Sequence, residues 1–240
     1  MARKKNTWFQ FKQFRIEQDK AGMKVTTDAC LFAALIEVAE AQRILDIGTG
    51  TGLLALMLAQ RSPAQIDAVE INEEVAKQAA SNFGASPWAK RIQIHQADLA
   101  HYRPAAPYDL IVSNPPFFSG HTGYEDLPRD QAMSASYLPF QALAVFIRDW
   151  LSPKGASWVL LPDHEAGLFR QEAMQAGLAV QEEIIIRNYT DGPIFRRVIV
   201  YGHNKKALPA RQDLVIYAEP NAQAYTDAFR QLLAPYYLYL

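Results

Sequence analysis

Two apolar runs joined by a glycine turn constrain the fold of this chain more than any other feature. Residues 43–47 predict a buried strand and residues 53–60 predict a helix. The turn between them carries glycines at alternate positions, Gly48, Gly50 and Gly52. A strand joined to a helix by such a turn opens the sheets that bind nucleotides. The dinucleotide fingerprint requires its third glycine at position 53, which is Leu53, so the turn departs from that pattern.

An acidic residue precedes the turn and narrows the class of ligand. Asp46 lies two residues before Gly48. A carboxylate there repels a pyrophosphate, but it suits the ammonium group of a nucleoside that carries an amino acid. S-adenosylmethionine has that form. We therefore assign a cofactor site to Asp46, Gly48, Thr49, Gly50 and Gly52.

Polar residues also close the next three predicted strands. Glu70 lies 22 residues after Gly48, where a carboxylate can accept hydrogen bonds from both ribose hydroxyls. Asp98 is placed to accept from an adenine amino group, and Asn114 follows the fourth strand. Ligands of an open parallel sheet bind beyond the carboxyl ends of its strands. We therefore expect Asp46, Glu70, Asp98 and Asn114 at one edge of the sheet.

The stretch Asn114-Pro115-Pro116-Phe117 predicts a rigid slot for a flat, hydrogen-bonding ring. Each proline fixes its own φ and lacks an N–H, so the loop resists collapse. The Asn114 side-chain oxygen and the Pro115 carbonyl can accept from one planar NH2 group while Phe117 stacks on the ring that bears it. These four residues are the predicted catalytic residues, and an exocyclic amine such as adenine N6 is the group they suit.

The rest of the chain continues the α/β alternation without repeats or linkers, which predicts a single domain over residues 1–240. Residues 1–28 are expected as a basic, aromatic arm, and residues 203–240 as a strand and helix packed on the body. The further predicted strands cover residues 65–70, 91–95, 108–113, 155–161, 179–187, 195–202 and 214–217. The further predicted helices cover residues 29–40, 73–83, 138–151, 164–176 and 222–233. Strands 179–187 and 195–202 are joined as a hairpin, which predicts an antiparallel edge.

Composition and charge exclude several classes of protein. The single Cys30 excludes an intramolecular disulfide or a cysteine-cluster metal site and fits a reducing cytoplasm. No histidine pair has metal-ligand spacing, so no metal is expected. No stretch approaches the roughly 18 apolar residues of a membrane span. The expected protein is cytoplasmic and free of the membrane. The sequence leaves its oligomeric state open, with a monomer favoured.

Basic residues outside the predicted cofactor site suggest contacts with a phosphate backbone. Residues 1–24 hold seven basic and two acidic residues, a net charge of +5 on a chain whose total is −1. Lys24 ends this arm, Arg129 lies in a polar loop predicted over residues 119–136, and Arg196 and Arg197 flank the hairpin. Solvated surface charges explain the same pattern without RNA.

The chain resembles the S-adenosylmethionine-dependent methyltransferases that act on exocyclic or amide nitrogens. The resemblance rests on residues 46–52, Glu70, Asp98 and the Asn-Pro-Pro-Phe stretch. More narrowly, the chain is similar to the bacterial tRNA1(Val) adenine-37 N6-methyltransferases. The narrower likeness lies in Met23-Lys24-Val25-Thr26-Thr27-Asp28, in Arg129-Asp130-Gln131-Ala132 and in the closing Tyr225, Phe229, Leu232, Leu233, Tyr237 and Leu238.

The resemblance implies a Rossmann-like class I methyltransferase fold, with a seven-stranded, mostly parallel sheet and an antiparallel edge hairpin. It implies S-adenosyl-L-methionine as cofactor and the anticodon loop of tRNA as partner. The activity implied is transfer of a methyl group to N6 of adenine 37 in tRNA1(Val). Phe117 would then clamp the base after it flips out of the loop.

Other functions remain compatible with the residues alone. The same slot serves enzymes that methylate guanine N2 in ribosomal RNA or a glutamine amide in release factors. An NAD-dependent oxidoreductase shares the fold, although Leu53 argues against it. A non-catalytic RNA-binding module with an inactive cofactor pocket is the remaining alternative.

Overall fold

The computed structural model describes residues 7–20, 24–116, 138–220 and 224–240. The strands in these residues are β1 (Trp8–Gln10), β2 (Arg15–Glu17), β3 (Arg43–Ile47), β4 (Gln65–Glu70), β5 (Ile92–Gln96), β6 (Tyr108–Ser113), β7 (Leu151–Leu161), β8 (Ala179–Arg187), β9 (Ile194–Gly202) and β10 (Ala210–Val215). The α-helices are α1 (Thr27–Leu35), α2 (Leu53–Arg61), α3 (Glu73–Gly84), α4 (Phe140–Trp150), α5 (Asp163–Gln175) and α6 (Asp227–Leu233).

The main sheet has the strand order β10-β8-β9-β7-β6-β3-β4-β5. Strand β9 is antiparallel to its neighbours β7 and β8, and the other paired strands of this sheet are parallel. The predicted Rossmann-like, mostly parallel sheet is therefore confirmed.

Two details of the predicted sheet were wrong. Within the described residues the sheet has eight strands rather than seven, and the β8–β9 hairpin does not form its edge, because β10 pairs with β8 in parallel. The pattern predicts a tail strand only over residues 214–217, since residues 210–213 are exposed and mostly polar. Charged, exposed residues of this kind are typical of an edge strand, which is not buried on either face.

Each face of the main sheet carries a hydrophobic core. One core includes Leu31 of α1, Leu56 of α2 and Phe229 of α6. The other includes Leu143 of α4 and Phe169 of α5. Residues 53–59 of α2 are all buried, which explains why this helix has an apolar sequence without a polar face.

The N-terminal residues form an antiparallel hairpin of β1 and β2 outside the main sheet. Phe11 and Phe14 are buried, and their rings stack with centroids 4.5 Å apart. Both phenylalanines therefore pack into the core on one face of the main sheet. Arg15 stays at the surface, with its guanidinium 4.5 Å from the centroid of the Trp8 ring.

Side-chain caps decide where one helix ends and where another begins. Helix α1 ends at Leu35 rather than near residue 40, and the Arg61 guanidinium caps it by donating to the carbonyls of Ala33 at 2.6 Å and Ile36 at 2.9 Å. Helix α6 begins at Asp227 rather than 222, because the Thr226 hydroxyl oxygen accepts the N–H of Phe229 at 3.2 Å.

Candidate active site at the carboxyl edge of the sheet

The register of the parallel strands brings the predicted site residues to one rim. Ile47 of β3 lies opposite Val69 of β4 and Ser113 of β6, and Glu70 lies opposite Gln96 of β5. The Ser113 hydroxyl also donates to the Ile47 carbonyl at 3.0 Å. The turn after β3, the end of β4, the Asp98 loop and Asn114 therefore share the carboxyl edge of the sheet.

The glycine turn has the backbone conformation that its sequence predicts. Gly48, Gly50 and Gly52 have φ angles of 70°, 56° and 85°, which L side chains rarely adopt. The N–H groups of Gly48 and Thr49 both donate to the Val69 carbonyl, at 2.9 and 3.1 Å. At Gly52 a Cβ atom would also lie 2.3 Å from Cε1 of Phe83. The turn is thus fixed by backbone bonds and by close packing.

Asp46 is completely buried, with one oxygen bonded and one without a partner. Its Oδ2 accepts from the Thr49 hydroxyl at 2.6 Å and from the Ala55 N–H at 3.2 Å. Its Oδ1 has no hydrogen-bond partner among the described residues. Burial raises the pKa of the Asp46 carboxyl to about 7, against the lowering effect of the bonds from Thr49 and Ala55. A buried, unpaired carboxylate oxygen is a ready partner for a cationic group.

Glu70 ends β4 and Asp98 follows β5, and backbone N–H groups orient both carboxylates. The Glu70 oxygens accept from Gly50 at 3.1 Å and from Asn72 at 2.9 Å. Asp98 Oδ1 accepts from Ala100 at 2.9 Å, and its side chain is 47% exposed. Each carboxylate oxygen has two lone pairs, so both residues can still accept hydrogen bonds from a ligand.

The rim matches the parts of S-adenosylmethionine by donor and acceptor chemistry. The unpaired Oδ1 of Asp46 fits the ammonium group. The fixed Glu70 carboxylate fits the ribose hydroxyls, and the more exposed Asp98 fits the adenine amino group. The residues present therefore fit this cofactor.

Asn114 places a second unpaired oxygen beside a cavity. Its Oδ1 is buried and has no hydrogen-bond partner within the described part of the chain. Asn114 lines a cavity of about 380 Å³, together with Thr26, Thr27, Asp28, Asn188, Phe195, Arg196, Ile216 and Tyr217. This volume lies in the range of roughly 300–1,000 Å³ that small-molecule sites occupy. An acceptor at the wall of such a cavity can hold the N–H of a planar amine.

The two predicted hairpin arginines are both ion-paired and point to opposite faces of the sheet. Arg196 Nε donates to Asp28 of α1 at 2.8 Å, and their side chains are 17% and 10% exposed. Arg197 pairs with Asp163 of α5 and, at 2.7 Å, with Glu183 of β8. These ion pairs account for both charges without an RNA ligand.

The remaining predicted contacts lie elsewhere. Lys24 is exposed, just before the cavity residue Thr26. Phe117, Arg129 and the loop predicted over residues 119–136 lie outside the described residues. In the parts of the chain that the structure describes, there is no cluster of metal-ligating side chains and no helix with the length and hydrophobicity to cross a bilayer.

Sequence reasoning missed most of the cavity wall. Asn188 was assigned only to a turn, Tyr217 only to a strand end, and Asp28 only to a helix start. What joins them is the parallel pairing of β10 with β8 and the Asp28–Arg196 ion pair. The parallel direction of β10, which no sequence pattern reports, places Tyr217 at the same rim as Asn114.

Comparisons with solved structures show the fold. A predicted O-methyltransferase from Agrobacterium tumefaciens superposes with a TM-score of 0.62 at 19% identity, covering 86% of this chain and 95% of that one. A methyltransferase from Pyrococcus furiosus superposes with a TM-score of 0.58 at 20% identity, covering 80% and 89%. Residues 22–134 match the family model described as methyltransferase small domain. The chain therefore has the fold of the class I methyltransferases, and part of it matches a methyltransferase family model.

Two curated relatives identify the family within that class. The tRNA1(Val) (adenine(37)-N6)-methyltransferase of Cytophaga hutchinsonii is 40% identical over 239 residues, covering 98% of this chain and 99% of its own length. The enzyme of the same name from Serratia proteamaculans is 38% identical over 235 residues, covering 96% and 90%. The chain belongs to the family of tRNA1(Val) (adenine(37)-N6)-methyltransferases.

Proposed function

We propose that this protein transfers the methyl group of S-adenosylmethionine to N6 of adenine 37 in the anticodon loop of tRNA1(Val), acting in the cytoplasm as a single domain. The observation that carries the proposal is Asn114 at the end of β6, which lines the cavity and whose buried Oδ1 has no hydrogen-bond partner among the described residues. Family membership supports the identity of the acceptor.

The reaction needs a better nucleophile than free adenine, whose N6 lone pair is delocalised into the ring. The Asn114 oxygen and the Pro115 carbonyl each accept one N6 hydrogen, which favours a pyramidal nitrogen with its lone pair free to react. The cofactor, when bound, supplies a methyl group already activated by a positively charged sulfur. Positioning and electrostatics therefore supply the catalysis, and no separate strong base is required.

The other residues of the site hold the two reactants. Asp46 binds the cofactor ammonium, Glu70 the ribose and Asp98 the adenine, while the glycine turn gives the cofactor close access to the backbone. Phe117 stacks on the acceptor base. Lys24 and Arg129 contact the RNA backbone. Arg196 and Arg197 would contact it only while they also keep their ion pairs with Asp28 and Asp163.

Replacing Asn114 tests the proposed slot. We expect Asn114→Ala to abolish methyl transfer, because one of the two N6 acceptors is lost, while the affinity for S-adenosylhomocysteine stays close to that of the wild type. Methyl transfer from tritiated donor and calorimetric titration measure the two properties. Asn204→Ala is the matched control, since Asn204 is exposed and remote from the rim in the fold. Wild-type turnover in Asn114→Ala would show that the slot is wrongly assigned.

The acceptor is tested separately from the slot. The purified enzyme is incubated with tritiated donor and either tRNA, ribosomal RNA or release factor, and the labelled product is digested and identified by mass spectrometry. We expect N6-methyladenosine from tRNA alone. Label in guanine N2 or in a glutamine side chain would reject the proposed acceptor and retain the proposed slot.

A further inference from the structure

The cavity beside Asn114 has a second wall for which the proposed reaction gives no role. Asn188 follows β8, Phe195 and Arg196 belong to β9, and Tyr217 lies just beyond β10. These residues come from the C-terminal half of the chain, whereas the cofactor residues lie between Asp46 and Asp98. None of the residues between Asp46 and Asp98 that we assign to the cofactor lines this cavity.

Backbone pairing fixes Tyr217 at the active rim. The N–H of Ile216 donates to the Arg187 carbonyl at 3.0 Å, and that of Tyr217 to the Asn188 carbonyl at 2.9 Å. These bonds extend the parallel pairing of β10 with β8 beyond the end of β10. Since β7 and β8 are both antiparallel to β9, strand β8 runs in the direction of β6. Tyr217 and Asn114 thus follow strands that end at the same edge.

The Tyr217 ring is the outermost of three stacked aromatic rings. It stacks on Tyr225 with centroids 5.4 Å apart and planes 20° apart, and Tyr225 stacks on Phe229 at 4.2 Å and 17°. Phe229 is fully buried in the core. Tyr217 and Tyr225 also form a β-bridge. Tyr217 itself is only partly buried, so its ring is accessible to a ligand. Because the stacked rings already hold it in place, a ligand would not have to order it on binding.

An ion pair joins this wall to the start of α1. Asp28 and Arg196 are 168 residues apart in sequence and meet at 2.8 Å on the cavity. Buried ion pairs contribute little net stability, because desolvation offsets their attraction. What this pair does contribute is a fixed spacing between two elements that line the cavity.

We propose that Tyr217 is a second ring on which the acceptor base stacks, and that the Asp28–Arg196 pair positions this wall. The inference rests on the proposed function and extends it to the pocket for the acceptor. A base whose amino group is held at Asn114 leaves its faces available for stacking, and base–aromatic stacking tolerates any orientation about the ring normal. The segment that follows β10 therefore completes the pocket for the acceptor base.

Kinetics of Tyr217 variants test this assignment. We expect Tyr217→Ala to lower kcat/KM for unmodified tRNA by about 10- to 100-fold, the value that the loss of one base–aromatic stack implies. Tyr217→Leu, which refills the volume without a π face, should show a similar loss even if Tyr217→Ala folds poorly. Tyr217→Phe keeps the ring and should stay within about threefold of the wild type. Affinity for S-adenosylhomocysteine should be unchanged in all three.

The matched control is Tyr239→Ala, because Tyr239 is a tyrosine of the same C-terminal segment that is 89% exposed. The inference is overturned if Tyr217→Leu has the same kcat/KM as Tyr239→Ala. It is also overturned if S-adenosylhomocysteine affinity falls in parallel with methyl transfer, since the wall would then serve the cofactor. Failure of the proposed function is distinguishable, because the wild-type protein itself would then methylate no tRNA.

Discussion

Gly52 is the point at which the cofactor turn is most tightly packed, and Gly52→Ala should destabilise the protein strongly. The φ of 85° is left-handed, which costs an alanine about 1–2 kcal/mol. The new Cβ would lie 2.3 and 2.7 Å from two carbons of the Phe83 ring, and overpacking of a core costs about 1–3 kcal/mol. Together these give a loss of about 2–5 kcal/mol, which for a chain of 240 residues lowers the Tm by roughly 4–20 °C.

Substitutions at two other glycines separate the cost of the left-handed backbone from the cost of overpacking. Gly48 has a φ of 70° but nothing within 4 Å of its Cβ position, so Gly48→Ala should show only the left-handed cost of about 1–2 kcal/mol. Gly167 lies inside α5 in open space, so Gly167→Ala should stabilise the helix by about 0.5–1 kcal/mol.

Urea unfolding without ligand, followed by circular dichroism, measures the free energy of unfolding of each variant. The second substitution Phe83→Leu should recover part of the loss in Gly52→Ala, because it removes the ring that the new methyl group meets. Equal losses in Gly52→Ala and Gly48→Ala would refute the role assigned to Phe83.

Two further predictions concern charged groups. Because the pKa of Asp46 is raised from 3.8 to about 7 in the fold, the unliganded protein should lose stability as pH rises from about 4 to about 7. In Asp46→Asn, the free energy of unfolding measured in urea should no longer change between about pH 4 and pH 7. For the wild type we also expect the affinity for S-adenosylhomocysteine to fall below about pH 7, by up to tenfold per pH unit, and Asp46→Asn should remove this fall. An unchanged pH profile of stability or of affinity in the variant would contradict the corresponding prediction. Arg197→Ala should cost at most about 1 kcal/mol of unfolding free energy, since Glu183 keeps Arg170 at 2.7 Å and the half-exposed Asp163 carboxylate is hydrated when its partner is removed. If its stability is unchanged and its tRNA affinity falls in a filter-binding assay, the phosphate role predicted from the sequence is the correct one.

The cofactor half of the site could be predicted because its determinants are local. The strand before Gly48 and the helix after it are continuous apolar runs, and both form at nearly the predicted residues. The rule that ligands bind at the carboxyl ends of parallel strands then places Glu70 and Asn114 together without knowledge of any side-chain contact. Strand register confirmed their common rim.

The acceptor half could not be predicted because it depends on contacts between distant parts of the chain. The Asp28–Arg196 pair spans 168 residues, and no local period in the sequence reports it. The start of β10 carries exposed residues, so its pattern does not differ from that of a loop. The proximity of Phe83 to Gly52 likewise arises only when α3 packs beside the turn.

The hairpin at the beginning of the chain is bonded to the tail at its end. The N–H of Lys12 donates to the Tyr236 carbonyl at 2.8 Å, and its ammonium group donates to the Ala234 carbonyl, 222 residues away, at 2.6 Å. Contacts with so large a separation close late in folding. On the ribosome, which releases the N-terminal part first, the nucleoside-binding strands can assemble while Tyr217 is still unmade. We therefore expect the proposed cofactor residues to assemble before Tyr217 can complete the proposed acceptor wall.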